Sequence, residues 1–217
     1  MGSKERFKIE RIEREILPED LKNLVKDIKY LNIKGNKKLL DEERCFGVVG
    51  SREISDEGIE FTERLTADLV KDNNVIVSGF MYGVDSVAQK TCVKNGGKTI
   101  AVLGTGLEVI YPRENVSLYD EILGGGGLIV SEYEDGFRGE RWSFPRRNRL
   151  ISAIGRRGLI VIEAGIKSGT MSCVNYARKQ GREIWVWRGS KKEGNSFLIE
   201  EGIGKGFESY KEINLLI

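Results

Sequence analysis

The sequence has no histidine and only three cysteines among its 217 residues. Without histidine, the chain cannot use Ser-His-Asp or Cys-His nucleophilic catalysis, an imidazole general base or a histidine-containing metal site. Cys45, Cys92 and Cys173 lie far apart and form no C-x-x-C pair, so thiolates alone cannot close a tetrahedral zinc site. Their apolar sequence surroundings also argue against a disulfide scaffold. We therefore expect neither a metal nor a cofactor.

Long hydrophobic segments and a strong charge imbalance are also missing. The longest apolar runs are about five residues, which is too short to span a bilayer, and no signal-peptide pattern opens the chain. We therefore expect a soluble, cytoplasmic protein that does not contact a membrane. The net charge is only +2, so binding to a nucleic acid must depend on local charge.

Glycine, in contrast, is abundant, with 27 residues that mostly follow short apolar segments. Six such segments alternate with helical patterns, at 45–50, 75–79, 99–104, 128–132, 158–164 and 183–187. This alternation predicts a doubly wound, mostly parallel Rossmann-like α/β sheet with helices on both faces. We assign residues 44–217 to this domain. Residues 1–43 are interpreted as a short helical N-terminal extension with a helix over 18–30.

Ligands of doubly wound sheets lie beyond the carboxyl ends of the strands, so the residues that follow each strand are the candidates for function. Gly50, Ser51 and Arg52 follow the first strand and combine free backbone N–H groups with a fixed positive charge, which suits a phosphate. The alternative is a plain strand-to-helix turn. Glu163 and the helix start at 168–170 follow the fifth strand, and the glutamate is expected to orient a neighbouring group rather than to catalyse.

One stretch, residues 138–157, carries most of the positive charge. It holds a single acid, Glu140, and seven arginines, which are Arg138, Arg141, Arg146, Arg147, Arg149, Arg156 and Arg157. Phe137, Trp142 and Phe144 are interleaved with them. Arginines neutralise phosphates and flat rings stack on bases, so this composition favours sequence-tolerant binding of single strands. A solvated helix face remains the alternative.

Several motifs, in order, are similar to those of the DNA-processing protein A (DprA, or Smf) family. They are GVVGSR (47–52), VSGFMYGVDSVAQ (77–89), GGKTIAVLGTGLEVIYPREN (96–115), LIVSEYEDG (128–136), FPRRNRLISAI (144–154), VIEAGIKSGTMSCVNYARKQGREI (161–184) and GNSFLIEEG (194–202). The resemblance covers about residues 36–203. It implies a Rossmann-like single-stranded DNA-binding protein that assists loading of the RecA recombinase and takes part in DNA uptake. A homodimer is an open expectation.

The resemblance also implies which residues face DNA. These are Gly50, Ser51 and Arg52 in the first loop, Phe144, Arg146, Arg147, Asn148 and Arg149 in FPRRNR, and Ser168, Gly169 and Thr170 at the next helix start. Gln89 stands where the family usually has histidine, and Arg188 replaces a proline. The small C-terminal helical domain of many members is expected to be absent.

Two other function classes share the predicted anion-binding loops. Lonely-guy phosphoribohydrolases use a glutamate at the position that Cys173 occupies here, which argues against glycosidic cleavage. A sensor of a nucleotide-derived ligand needs fewer positive charges than this chain offers. The sequence therefore predicts a non-catalytic protein that binds single-stranded DNA.

Overall fold

The structure is a computed structural model that describes residues 7–214. A single sheet contains the nine strands β1 (Ile9–Glu13), β2 (Tyr30–Gly35), β3 (Cys45–Val49), β4 (Val75–Ser78), β5 (Thr99–Val102), β6 (Leu128–Ser131), β7 (Gly158–Val161), β8 (Ile184–Trp187) and β9 (Lys205–Phe207). The helices are α1 (Glu19–Leu24), α2 (Asp56–Lys71), α3 (Val84–Lys94), α4 (Val116–Gly124), α5 (Ser143–Ile154), α6 (Gly169–Lys179), α7 (Glu193–Glu200) and α8 (Tyr210–Asn214). Short 3₁₀ helices occupy Arg14–Ile16, Lys37–Asp41 and Arg113–Asn115.

The spatial order of the strands is β1-β2-β6-β5-β4-β3-β7-β8-β9. From β3 the chain proceeds through β4, β5 and β6 in one direction, and it then returns to place β7 on the other side of β3. All pairs from β6 to β9 are parallel, whereas β2 pairs antiparallel with both β1 and β6. The predicted doubly wound, mostly parallel sheet is confirmed. Its topological switch point lies between β3 and β7.

Helices cover both faces of this sheet because its central strands are apolar on both sides. In β3, Cys45 and Val49 belong to the core that α1, α5, α6 and α7 cover, whereas Phe46 and Val48 belong to the core beneath α2 and α3. Neighbouring side chains of a strand point to opposite faces, so a continuous apolar run serves two cores at once. No helix within residues 7–214 is long and apolar enough to cross a membrane.

The expected helical N-terminal extension requires correction. Its helix is only Glu19–Leu24, and the chain on either side of it forms the strands β1 and β2. β2 pairs with β6, and the side chains of Leu31 and Ile33 are buried in the same core as β3. Hydrogen bonds of the sheet ladder and shared apolar burial therefore join this segment to the rest of the fold. The boundary at residue 44 stays a prediction.

Candidate nucleic-acid interface

A cleft of about 760 Å³ opens beyond the carboxyl ends of β3 and β7, at the switch point of the sheet. We call it the main cleft. The predicted site residues that line it are Gly50, Ser51, Arg52, Phe144, Arg147, Asn148, Ser168, Gly169 and Thr170. Arg146 and Arg149 line a different hollow. The cleft thus brings together the loop after β3, the start of α5 and the start of α6.

The loop after β3 is held by backbone contacts. The amide N–H of Val84 donates to the carbonyl oxygen of Ser51 over 3.1 Å, and the Ser51 hydroxyl donates to the carbonyl of Glu53 over 2.7 Å. Gly83 has a φ of +70°, and a Cβ at this position would overlap the carbonyl oxygens of Ser51 and Arg52. A glycine is required here because the two loops approach so closely. The loop therefore keeps its shape without using the side chain of Arg52.

The guanidinium group of Arg52 is exposed and forms no ion pair with any residue that the structure describes. Two acids that follow other strands of the sheet have partners of their own. Glu163, only 1% exposed, accepts hydrogen bonds from the backbone N–H and the hydroxyl of Ser55, the residue that caps α2. Glu132 pairs with Arg149. Arg52 is consequently available for an anion in the cleft.

Arg147 lies at the floor of the main cleft and is only 2% exposed. Its guanidinium group donates to the carbonyl oxygen of Gly79 over 2.6 Å and to that of Val102, at the ends of β4 and β5. Burial lowers the pKa of Arg147, while the nearby Asp85 carboxylate acts in the opposite direction. Burial likewise raises the pKa of Asp85, against the effect of Arg147. Arg147 therefore shapes the floor of the cleft, and its contact with a ligand stays a prediction.

Arg149 and Arg146 are not grouped with the other predicted site residues. Arg149 donates to both carboxylate oxygens of Glu132, over 2.5 and 2.6 Å, and to Asp27 over 3.2 Å. Arg146 contacts the same two acids, over 3.4 Å to Glu132 and 2.8 Å to Asp27. Burial lowers the pKa of Arg149, but the bonds to Glu132 outweigh this effect and the net shift is upward. These two arginines hold the N-terminal segment to α5.

Two further arginines, Arg138 and Arg141, line the main cleft but are missing from the predicted site. Both are exposed, and like Arg52 they form no ion pair with the residues described. The acid between them, Glu140, accepts a hydrogen bond of 2.7 Å from the indole N–H of Trp142. The local excess of arginine was the signal for these residues. The resemblance to FPRRNR directed attention to α5 instead.

Aromatic rings border the same cleft. Phe144 packs against Tyr111 with 5.6 Å between ring centroids, and Tyr111 is 42% exposed. Trp142 is not part of the lining; it is 51% exposed and lies edge-on to Tyr133 at 5.9 Å. Tyr111 is a functional candidate that the sequence reasoning missed, although it lies in the family-like motif of residues 96–115. Flat, half-exposed rings beside cations are suited to stacking with bases.

The start of α6 supplies the remaining wall. The Asn148 amide donates to the carbonyl oxygen of Gly169 over 3.1 Å and so holds α6 against α5. Ser168 occupies the N-cap position, but its hydroxyl is buried and has no hydrogen-bond partner among the described residues. The first N–H groups of a helix also lack partners within the helix. Unpaired donors therefore face the cleft from this side, as an anion requires.

The family model described as DNA recombination-mediator protein A matches residues 8–216 of the chain. The chain belongs to this family. DNA processing protein DprA of Streptococcus pneumoniae is 40% identical over 189 residues, which are 85% of this chain and 66% of that protein. Its X-ray structure has a TM-score of 0.86 at 36% identity, over 96% of this chain and 74% of that chain. DNA processing protein A from Helicobacter pylori gives a TM-score of 0.87 at 33% identity, over 100% of this chain and 98% of that chain.

This member of the DNA recombination-mediator protein A family spans only part of the length of several curated relatives. It covers 66% of the Streptococcus pneumoniae protein, 62% of DprA from Bacillus subtilis and 34% of protein Smf from Synechocystis. The match to the Helicobacter pylori structure extends over the whole chain, so it includes both sides of the main cleft.

Within residues 7–214, no group of three Cys, Asp or Glu side chains is arranged to hold a metal ion. The cysteines Cys45, Cys92 and Cys173 are buried, and burial raises the pKa values of Cys45 and Cys92 to about 12. These thiols therefore remain protonated near neutral pH and are poor nucleophiles and poor metal ligands. The polar groups that line the cleft include guanidinium groups, amides, hydroxyls and the carboxyl groups of Glu53, Asp85 and Glu140.

Proposed function

We propose that the main cleft binds single-stranded DNA with little base preference and that the protein is a non-catalytic recombination mediator. The observation that carries this proposal is the set of three exposed guanidinium groups, of Arg52, Arg138 and Arg141, around one cleft that also presents aromatic rings. None of the three is neutralised by a described acid within ion-pair distance. A polyanion supplies the missing negative charge.

The geometry favours a single strand because bases must be unpaired to reach the rings. Tyr111 and Phe144 offer flat surfaces to a base, while the arginines contact the phosphates on either side. Stacking tolerates any base, since every base has a π-face. Binding by such contacts is therefore tight but nearly independent of sequence.

The relatives support the same function. The structure of the Helicobacter pylori protein is described as giving insight into a single-stranded DNA-binding mode, and the chain matches that protein over its whole length at 33% identity. The family description names a recombination mediator. On this basis we propose that the bound strand is passed to a RecA-type recombinase in the cytoplasm during DNA uptake, and that the protein acts as a homodimer.

The phosphoribohydrolase alternative is not favoured. The one carboxylate that sequence reasoning considered, Glu163, is buried and holds Ser55 at the start of α2, and it does not line the main cleft. Cys173 takes the place of the glutamate that such an enzyme needs. Of the acids that line the cleft, Asp85 accepts a hydrogen bond from the backbone N–H of Met81 and Glu140 accepts one from the indole of Trp142.

Fluorescence anisotropy with a labelled oligothymidylate at several salt concentrations tests the proposal. Each phosphate contact on a single strand contributes about 0.7 to the salt slope, so the three arginines predict a log–log slope of roughly −2. Binding to duplex DNA of the same length is expected to be weaker. A flat salt response, or a preference for duplex, would contradict the proposal. The release of ribose 5-phosphate from AMP would support the hydrolase instead.

A further inference from the structure

A second hollow, of about 450 Å³, lies beside the main cleft. We call it the side crevice. Its walls are residues 23–27 at the end of α1, Arg146 and Arg149 on α5, Tyr176 and Lys179 on α6, and Gln180 just after that helix. Of these residues only the two arginines were predicted site residues, and the proposed function does not use the crevice.

The side crevice and the main cleft are both lined by α5 and α6. Ser168, Gly169, Thr170 and Cys173 of the α6 region line the main cleft, and Lys179 of the same helix lines the crevice. At a rise of 1.5 Å per residue, Cys173 and Lys179 are separated by roughly 9 Å along the helix axis. On α5, Pro145 lines the main cleft and its neighbour Arg146 lines the crevice, and the Ser172 hydroxyl of α6 donates to the Pro145 carbonyl over 3.3 Å.

The crevice carries free positive charge. Its acid, Asp27, is engaged by Arg146 and Arg149. Lys26 and Lys179 are exposed and form no ion pair with residues in the described part of the chain. Two unpaired, exposed ammonium groups therefore border an opening whose acid is already neutralised.

The crevice also offers a ring. Tyr176 is half-buried in its wall and forms no ring stack with another described aromatic residue. A ring and two free cations, next to the main cleft along the same two helices, are the features that a further nucleotide requires. Inorganic anions would use the lysines but would leave the ring unoccupied.

We propose that the side crevice is a second nucleotide subsite, which receives the part of the single strand that extends beyond the main cleft along α5 and α6. Lys26 and Lys179 contact a phosphate, and a base lies against Tyr176. This inference rests on the proposed function of the main cleft. It predicts that an oligonucleotide long enough to leave the main cleft gains contacts that a short one lacks.

The test compares two labelled oligothymidylates, of about 6 and about 20 nucleotides, in anisotropy titrations at several salt concentrations. The double variant Lys26→Ala/Lys179→Ala should bind the longer oligonucleotide roughly tenfold more weakly and lower its salt slope by about 0.7 per lost contact. Its affinity for the shorter oligonucleotide should not change. Tyr176→Leu should weaken the longer complex by roughly fivefold without changing the salt slope, because a stacked ring releases no counterions.

The matched control is Lys90→Ala/Lys94→Ala, which removes the same charge from exposed positions of α3 on the opposite face of the sheet. Equal losses in the control, or equal losses for the two oligonucleotides, would overturn the subsite. Unchanged binding of the longer oligonucleotide by Lys26→Ala/Lys179→Ala would also overturn the subsite, and an acidic protein would then be the expected partner of these lysines. In these cases the main cleft keeps its function. Failure of the unaltered protein to bind the shorter oligonucleotide would refute the main cleft, and the subsite with it.

Discussion

Replacing Arg52 with alanine should weaken single-stranded DNA binding by about ten- to a hundredfold. The guanidinium group of Arg52 is exposed, lines the main cleft and has no described acid as partner. It can therefore donate two parallel hydrogen bonds to one phosphate. A charge-assisted hydrogen bond of this kind contributes roughly 1.5–3 kcal/mol, and each 1.4 kcal/mol is about tenfold in affinity. Arg52→Lys should recover only part of the loss, because an ammonium group lacks the fork.

The same variant should leave the fold intact. The loop is held by the backbone contact between Ser51 and Val84 and by the close approach of Gly83, and none of these contacts uses the Arg52 side chain. The melting temperature of Arg52→Ala should therefore stay near that of the unaltered protein. The salt slope should fall by about 0.7, which is the contribution of one phosphate contact.

Anisotropy titrations and thermal unfolding, performed on the same preparations, measure both quantities. Arg64→Ala is the matched control, since Arg64 is an exposed arginine of α2 that forms no ion pair with the described residues. It should change neither affinity nor melting temperature. If Arg52→Ala bound DNA as tightly as this control, or lost many degrees of stability with no change in affinity per folded molecule, the reasoning would be refuted.

Three further outcomes concern the contacts that keep the site in shape. Arg149→Ala should lower the free energy of unfolding by roughly 3–5 kcal/mol, because the buried Glu132 carboxylate loses its main partner; an unchanged urea midpoint would contradict this. Gly83→Ala should lower both the melting temperature and the DNA affinity, since the new methyl group overlaps the loop after β3. Gly96 has a similar φ of +73° but no atom near the position of a Cβ, so Gly96→Ala should lower the melting temperature without changing the DNA affinity. Burial raises the pKa of Asp27, but two arginines lower it and the net shift is downward. The stabilisation is therefore complete above the unfolded pKa of about 4 and is lost as the pH falls below it, and Asp27→Asn should remove part of this loss in urea unfolding.

The central sheet could be predicted from sequence because its strands are short apolar runs, each followed by a glycine or a polar turn. The two N-terminal strands could not. Ile9 and Ile12 of β1 are spaced by three residues, which is a helical interval, and the strand is an edge strand with three exposed charged residues. β2 contains the polar Asn32 and Lys34, and these become buried only when the strand pairs with β6. Both segments are strands because each pairs with a strand that is distant in the sequence, β1 with β2 and β2 with β6.

The composition of residues 138–157 indicated where to look for the candidate site, but it did not show which arginines are free to bind a ligand. The excess of arginine in 138–157 indicates a polyanion ligand, yet a sequence does not reveal which guanidinium groups already have partners. Arg146 binds Asp27, which lies 119 residues earlier, and Arg147 binds the ends of two strands. The free cations, Arg138 and Arg141, lie in the loop before α5, outside the most recognisable motif.

Of the three tryptophans of the chain, two are buried in the sheet and one reaches solvent. Trp185 and Trp187 are 2% and 7% exposed, whereas Trp142 is 51% exposed and lies between the cleft residues Arg141 and Phe144. A dissolved collisional quencher therefore reaches one indole and spares the other two. The emission of Trp142 therefore reports on the loop that carries Arg138 and Arg141 into the cleft, and an unlabelled strand that covers this loop can be followed from the emission that the quencher no longer suppresses.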